Sequence, residues 1–283
     1  MAVQSFAFEW CTEDGITLQG HCWIPPQAKA LVALVHGFGE HLGRYEHVAN
    51  FLNQHYYGLI GFDQRGHGRS QGRRGHIVSY DDLLENIREM LALAIDKFDN
   101  LPLFLYGHSM GGNLVANYLI RYQPAYLKGA IITSPWLRLT RAPSFFLQAA
   151  VQLVYWLFPQ ASFAAQINPQ HLSKDIAIQR LYATDPLVVR RMSVSMFTEV
   201  NRAGQFAIAH AEKINLPLLL MHGNDDQITS VQATEEFAKR LSSSKLTTYY
   251  WENMRHELHN EIEKEKPLKA ITSWLEQQVQ SVN

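Results

Sequence analysis

The sequence predicts an α/β architecture: a mostly parallel central sheet with helices on both faces and a helical cap inserted between two core strands. Three observations carry this reading. Short apolar runs alternate with segments of helical periodicity. Those runs are apolar at consecutive positions rather than every second one, as strands covered on both faces are. The alternation lapses between about Arg138 and Lys213, then resumes at Leu216. With 283 residues, 47% hydrophobic and 18% charged, the chain has apolar material for a full core. That fits one large domain, or a domain carrying an insertion. The expected division is a first part of the core at 1–137, the cap at 138–213, and a second part of the core at 214–283.

Two strands open the chain, about Val3–Trp10 and Ile16–Ile24, joined at Asp14-Gly15 and closed by Pro25-Pro26. Counting outward from that turn places Cys11 near Leu18 and Cys22 near Ala7, too far apart to bridge. Both are expected to be buried free thiols, which suits a reducing compartment. The strands of the main sheet follow: Ala30–Val35, Gly58–Phe62, Leu103–Tyr106, Gly129–Ile132, Leu216–Met221 and Thr247–Trp251. Between them lie helical stretches, as where Leu83, Leu84, Ile87, Leu91 and Ile95 recur at a spacing near 3.6. Sheets of this kind bind ligands at the carboxyl ends of their strands, so the chemistry is expected just after each one.

The lapse itself is informative. It contains no clean strand, and no internal repeat or low-complexity segment occurs anywhere in the chain. Phe145, Phe146, Leu147, Ala149, Val151, Leu153, Val154, Trp156, Leu157 and Phe158 make a helix apolar nearly all round. Gln148 and Gln152 supply only a thin polar strip. Packed inward, such a helix is ordinary core; with its outer face free, it is a lid suited to membrane surfaces.

Other classes are excluded. A net charge of -1 and the lack of a basic stripe give no reason to expect nucleic acid. Met1 to Phe6 show no basic region followed by an apolar run, so no signal peptide is expected. No stretch reaches the roughly 18 apolar residues of a membrane span. The expectation is a soluble cytoplasmic protein, with transient peripheral membrane contact through the cap. Oligomeric state is not legible.

The first chemical signal is Gly107-His108-Ser109-Met110-Gly111, between the strand Leu103–Tyr106 and the helical run Asn113–Tyr122. A bare G-x-S-x-G is weak; set between strand and helix it predicts a nucleophile elbow. The glycines let the chain turn sharply, and the helix N-terminus favours negative charge developing at Ser109 Oγ. A serine hydroxyl needs a base, and the base needs an orienting acid. In this arrangement the chain order is serine, acid, histidine. The strand Leu216–Met221 leads into His222-Gly223-Asn224-Asp225-Asp226, and Thr247–Trp251 leads towards His256. Asp226 is assigned as the acid, with Asp225 its alternative, and His256 as the base, with His259 its rival. His256-Glu257-Leu258-His259 lacks the one-and-five histidine spacing of a zinc helix, so no metal is expected, nor any other cofactor. The oxyanion donors are assigned to the backbone N–H of Met110 and, in the loop His36-Gly37-Phe38-Gly39, of Phe38. Such donors each lower a barrier by roughly 3–4 kcal/mol. His36, His67 and His108 are expected to hydrogen-bond loop backbone. Asp63 and Arg65 are expected to pin the loop after their strand.

Taken together, His36-Gly37-Phe38-Gly39-Glu40-His41, Asp63-Gln64-Arg65-Gly66-His67-Gly68-Arg69-Ser70, the elbow and the Gly223, Asp226, His256 series resemble the monoacylglycerol lipase and lysophospholipase branch of the α/β-hydrolases. The resemblance spans nearly the whole chain and includes Asp185-Pro186-Leu187 in the cap. It implies a serine ester hydrolase acting on single-chain lipid esters, monoacylglycerols foremost, with a lysophospholipase, a broad carboxylesterase or thioesterase, and more remotely a non-catalytic ligand-binding protein of the same fold as the alternatives. It also implies that Glu40, Arg44 and His259 contact the headgroup, whereas the more divergent cap carries no acyl-chain preference over. From spacing alone, Glu40 and Arg44 could equally be a plain surface ion pair near a helix start.

Overall fold

The computed structural model describes residues 3–141, 145–165, 167–241 and 243–280, with side chains described at all of these except 145–149 and 243. β1 (Gln4–Cys11) and β2 (Thr17–Ile24) form an antiparallel hairpin. The register differs from expectation by one residue: Cys11 faces Thr17, and Cys22 faces Phe6. The cause is local. The Thr12 hydroxyl bonds both Asp14 Oδ1 and Ile16 O, and Gly15 adopts φ 81°. Glu13, Asp14 and Gly15 thus make a three-residue loop with glycine in the left-handed position rather than a two-residue turn. Both thiols are free, but only Cys22 is buried; Cys11 is exposed.

β3 (Ala30–Val35) lies at the centre, parallel to both β4 (Tyr57–Phe62) and β5 (Leu103–His108). The sheet continues through β6 (Leu127–Thr133) to β9 (Leu218–Gly223) and β10 (Leu246–Trp251), all parallel. The described strands of this sheet number eight, in the order β1-β2-β4-β3-β5-β6-β9-β10. Successive residues of β3 feed two cores. Leu31, Ala33 and Val35 join Leu84, Ile87, Leu114 and Phe237 on one face. Val32 and Leu34 join Val48, Leu52, Ile271 and Trp274 on the other. The first face is covered by α2 (Tyr80–Lys97), α3 (Met110–Tyr122) and α8 (Val231–Arg240), the second by α1 (Glu46–Gln54) and α9 (Glu265–Gln280). That is why the strand sequences show no polar alternation. α2 opens with a capping box between Ser79 and Asp82. Its expected apolar stripe is buried as far as Leu91, but in the last turn Ala94 takes the core position and Ile95 is 40% exposed.

Between β6 and β9 the chain forms α4 (Phe145–Leu157), β7 (Ser162–Ala164), α5 (Pro169–Leu172), α6 (Ile176–Thr184), β8 (Arg191–Ser193) and α7 (Val194–Ala209). The expectation of no clean strand here is corrected: β7 and β8 pair antiparallel. Three residues each are too few to carry a period. In α4 the side chains of Phe145, Phe146, Leu147, Gln148 and Ala149 lie outside the described residues. Leu153, Trp156 and Leu157, with Phe158 just beyond, are 61–73% exposed. Tyr155 and Gln152 tie this helix to α7 through Glu199 and Arg202. No described helix is long and apolar enough to cross a membrane.

Candidate active site

The turn after β5 is tight. Ser109 has φ 55° and ψ -117°, a strained conformation for a residue with a side chain. Three backbone hydrogen bonds hold it: its N–H donates to Thr133 O at 3.0 Å, and its carbonyl accepts from Asn113 N at 3.1 Å and Trp136 N at 2.9 Å. The neighbouring glycines are needed for close approach. A Cβ at Gly107 would lie 2.6 Å from Val115 Cγ2, and one at Gly111 would lie 2.7 Å from His36 O. The elbow therefore packs directly against the chain leaving β3.

Ser109 Oγ lies 2.8 Å from His256 Nε2, and His256 Nδ1 lies 2.7 Å from Asp226 Oδ2. The three residues come from the carboxyl ends of β5, β9 and β10, and all are buried. Asp225 does not join them: it is half exposed and pairs with Lys174 at 2.7 Å. Burial pushes the Asp226 carboxyl up, but His256 and His222 outweigh it and hold the group far below the usual carboxylate range. Burial likewise pushes the His256 imidazole down, yet the Asp226 charge and hydrogen bond leave it above its ordinary value. Asp226 is itself anchored. Its Oδ1 accepts from Ile228 N at 2.7 Å and Thr229 N at 3.1 Å; its Oδ2 accepts from Thr229 Oγ1 at 2.8 Å and faces His222 Nε2 at 2.9 Å. Sequence reasoning gave His222 and Thr229 no role. His222 sits inside the quoted strand end, where an apolar run broken by histidine was the available signal; Thr229 offered none.

Phe38 lies in the loop after β3, and its N–H has no protein acceptor among the described residues. Met110 opens α3, so its N–H is one of those a helix leaves without an internal partner. Met110 follows Ser109 directly, and Phe38 lines the same cavity as Ser109. That cavity, of about 210 Å³, opens beside Ser109, and Gly37, Phe38, Glu40, His256 and Glu257 are among the residues that line it. Leu139, Phe163, Ala165, Ile167, Phe197 and Ile228 line its apolar part.

Of the residues assigned to the headgroup, only Glu40 lines this cavity; Arg44 and His259 do not. Nor are Glu40 and Arg44 a surface pair. Glu40 is 3% exposed; its Oε1 accepts from Gly37 N at 2.5 Å and Tyr45 Oη at 2.8 Å. Arg44 pairs with Glu257 at 2.6 Å and stands 3.6 Å from Glu40. Burial, and then the charge of Glu257, push Glu40 up to about 7. His259 is buried with its ring stacked on Tyr45, and burial beside His108 and His47 holds it well below the usual histidine range. Glu257, which sequence reasoning met only inside a rejected metal motif, lines the cavity beside His256.

The other motif histidines are structural, with one difference. His36 Nδ1 faces Gly37 O at 2.8 Å, and its Nε2 accepts from Gln64 N at 2.9 Å; His67 Nδ1 faces Arg65 O at 3.1 Å. Burial pushes both down to about 3, so they are neutral. His108 bonds a side chain instead of backbone, Thr133 Oγ1 at 3.1 Å. Asp63 accepts from Leu42 N and Arg69 N, each at 2.7 Å, and so pins two loops at once. His41 Nε2 meets Asp185 Oδ2 at 2.8 Å, joining the loop after β3 to the segment between β6 and β9.

This sheet order, the helices on both faces and the strand-end placement of the site define an α/β-hydrolase fold. The model of the Serine aminopeptidase, S33 family (Hydrolase_4) matches residues 26–263. An abhydrolase domain-containing protein of Dictyostelium discoideum is 35% identical over 272 residues, covering 95% of this chain and 29% of that protein; the chain thus spans under a third of that relative. A monoacylglycerol lipase of Mycolicibacterium smegmatis is 28% identical, covering 92% of this chain and 93% of that one. The crystal structure of Paleococcus ferrophilus monoacylglycerol lipase superposes with a TM-score of 0.79 at 29% identity, covering 98% and 100%. The chain belongs to this α/β-hydrolase family, in its monoacylglycerol lipase-like part, and is a carboxylic ester hydrolase.

Proposed function

We propose that the chain hydrolyses acyl esters of single-chain lipids, monoacylglycerols foremost, through an acyl-enzyme on Ser109. The supporting observation is that Ser109 Oγ, 2.8 Å from His256 Nε2, opens on a cavity with an apolar wall and a carboxylate end. The reading also draws on the monoacylglycerol lipases named above, which are similar over nearly their whole lengths. Ser109 attacks the acyl carbonyl as His256 takes its proton, and Phe38 and Met110 N–H donate to the oxyanion. His256 protonates the departing glycerol oxygen; water then releases the fatty acid by the same route. Asp226 keeps the imidazole oriented throughout. The headgroup contact rests on Glu40, with Arg44 and His259 supporting it from behind.

A site built to pair with hydroxyls discriminates against substrates lacking them. 1-Oleoylglycerol is therefore expected to be turned over faster than lysophosphatidylcholine of equal chain length, and Glu40→Ala to narrow that gap by roughly tenfold or more. Steady-state kinetics on the pair decides it. A wild-type preference for the lysophospholipid makes the chain a lysophospholipase; equal losses on both lipids in Glu40→Ala leave the headgroup assignment without basis.

The segment 138–213 serves in this reading as a cap, and the exposed apolar end of α4 as its transient contact with membrane surfaces. Leu153→Ser with Trp156→Ser is expected to weaken binding to phosphatidylcholine vesicles in flotation. Because both side chains are exposed, the pair should cost far less than the roughly 2–5 kcal/mol of a buried truncation. Unchanged flotation would count against membrane contact here.

A further inference from the structure

We propose that Glu257 is a specificity-determining residue that quenches Arg44 and makes one end of the cavity a two-carboxylate wall, open to hydroxyl donors and closed to anionic headgroups. This rests on the reading that the ester's headgroup lies at that end. Glu257 is 2% exposed and lines the cavity with Ser109, His256 and Glu40. Arg44 Nη2 donates to both its oxygens, at 2.8 and 2.6 Å, and Asn260 Nδ2 donates to Oε2 at 2.8 Å. Its own N–H donates to Leu172 O at 2.8 Å, so the segment between β6 and β9 fixes its position as well. The same guanidinium stands 3.6 Å from Glu40 Oε2, which has no hydrogen-bond partner.

The charges around this point do not balance. Two carboxyl groups, Glu257 and the partly protonated Glu40, share one guanidinium, and no lysine or arginine is among the residues lining the cavity. The remaining groups add no fixed cation. Tyr45 donates its hydroxyl to Glu40, and the Tyr182 ring lies 5.0 Å from the Arg44 guanidinium carbon. The end of the cavity is therefore rich in acceptors and poor in donors, and a buried acceptor without a donor is unfavourable until one arrives. A glycerol hydroxyl is such a donor. A phosphate is not, and arginine, the residue that usually receives phosphate through paired hydrogen bonds, is here already held by Glu257. Glu257→Gln would keep the side chain's size, remove one negative charge and leave Glu40, 3.6 Å away, as the one carboxylate facing Arg44.

The test compares kcat/KM for 1-oleoylglycerol and 1-oleoyl-lysophosphatidate in neutral mixed micelles, with active enzyme counted by phosphonate titration. Glu257→Gln should lower the first and raise the second, moving their ratio by at least about tenfold, as expected when a like charge is removed. Glu257→Asp, which keeps the charge, should preserve the wild-type order of preference. Parallel loss on both substrates in Glu257→Gln overturns the proposal. The wild type supplies an independent reading if that variant does not fold. Lysophosphatidate should inhibit it at least about tenfold more weakly than the uncharged 1-octadecenyl glycerol ether; comparable inhibition overturns the proposal. Propyl oleate tests the underlying reading separately. If wild type cleaves it as well as 1-oleoylglycerol, the headgroup reading fails, whereas parallel losses with that preference intact remove Glu257 alone.

Discussion

Replacing Ser109 or His256 by alanine is expected to lower kcat by about four or more orders of magnitude while the fold persists. The two side chains meet at 2.8 Å and in the proposed mechanism serve one proton transfer, so removing either should disable the other. Their double variant should then be hardly worse than each single one. Residual turnover would come from the oxyanion donors and binding, which neither change touches. The measurement is single-turnover kinetics on a nitrophenyl ester, with circular dichroism to establish folding. Losses that multiply in the double variant would mean two independent contributions and would contradict the assignment.

Asp226→Asn should be nearly as severe, about 10⁴-fold, because an amide favours the wrong imidazole tautomer. Asp225→Asn should change little, since that carboxylate is half exposed and bound to Lys174. The reverse order would show that the wrong acid was chosen. The pH profile reads the same interaction. Activity requires neutral His256, so kcat/KM rises with pH through its midpoint. In wild type, burial lowers that midpoint but Asp226 more than restores it, placing it above the ordinary value near 6.5. Removing the Asp226 charge leaves burial dominant, so the residual activity of Asp226→Asn should titrate at lower pH. An upward move would contradict this account of the imidazole.

The parallel strands were legible because a strand covered on both faces must be apolar along its length, and Ala30–Val35 shows the extreme case. Ser109 and Asp226 were legible because each follows such a strand beside glycines, and His256 because it follows the half-exposed β10 at a turn, where backbone needs constrain the sequence. The hairpin register was not. It depends on the Thr12 hydroxyl taking partners inside the turn, a choice that Asp14-Gly15 alone does not reveal. Glu257 escaped for a different reason. Its partner Arg44 is 213 residues away, and nothing local marks a carboxylate that will be buried against a distant guanidinium. The same holds for His41 and Asp185, 144 residues apart, which bring the two segments together.

The packing of Gly111 against the chain leaving β3, with the position of a Gly37 Cβ only 3.0 Å from Ser109 Cβ, separates two clocks. Elbow and loop interlock through backbone, so neither can shift without the other, and the reacting geometry stands ready before any ester arrives. A site assembled in this way differs from one completed by induced fit, where binding free energy drives the assembly. On the proposed reading, what remains to be timed is passage: entry of an acyl chain past the segment between β6 and β9, and exit of fatty acid. Sequence change in that segment can then retune traffic while the chemical step, held by glycine contacts beneath the sheet's carboxyl edge, keeps its own pace.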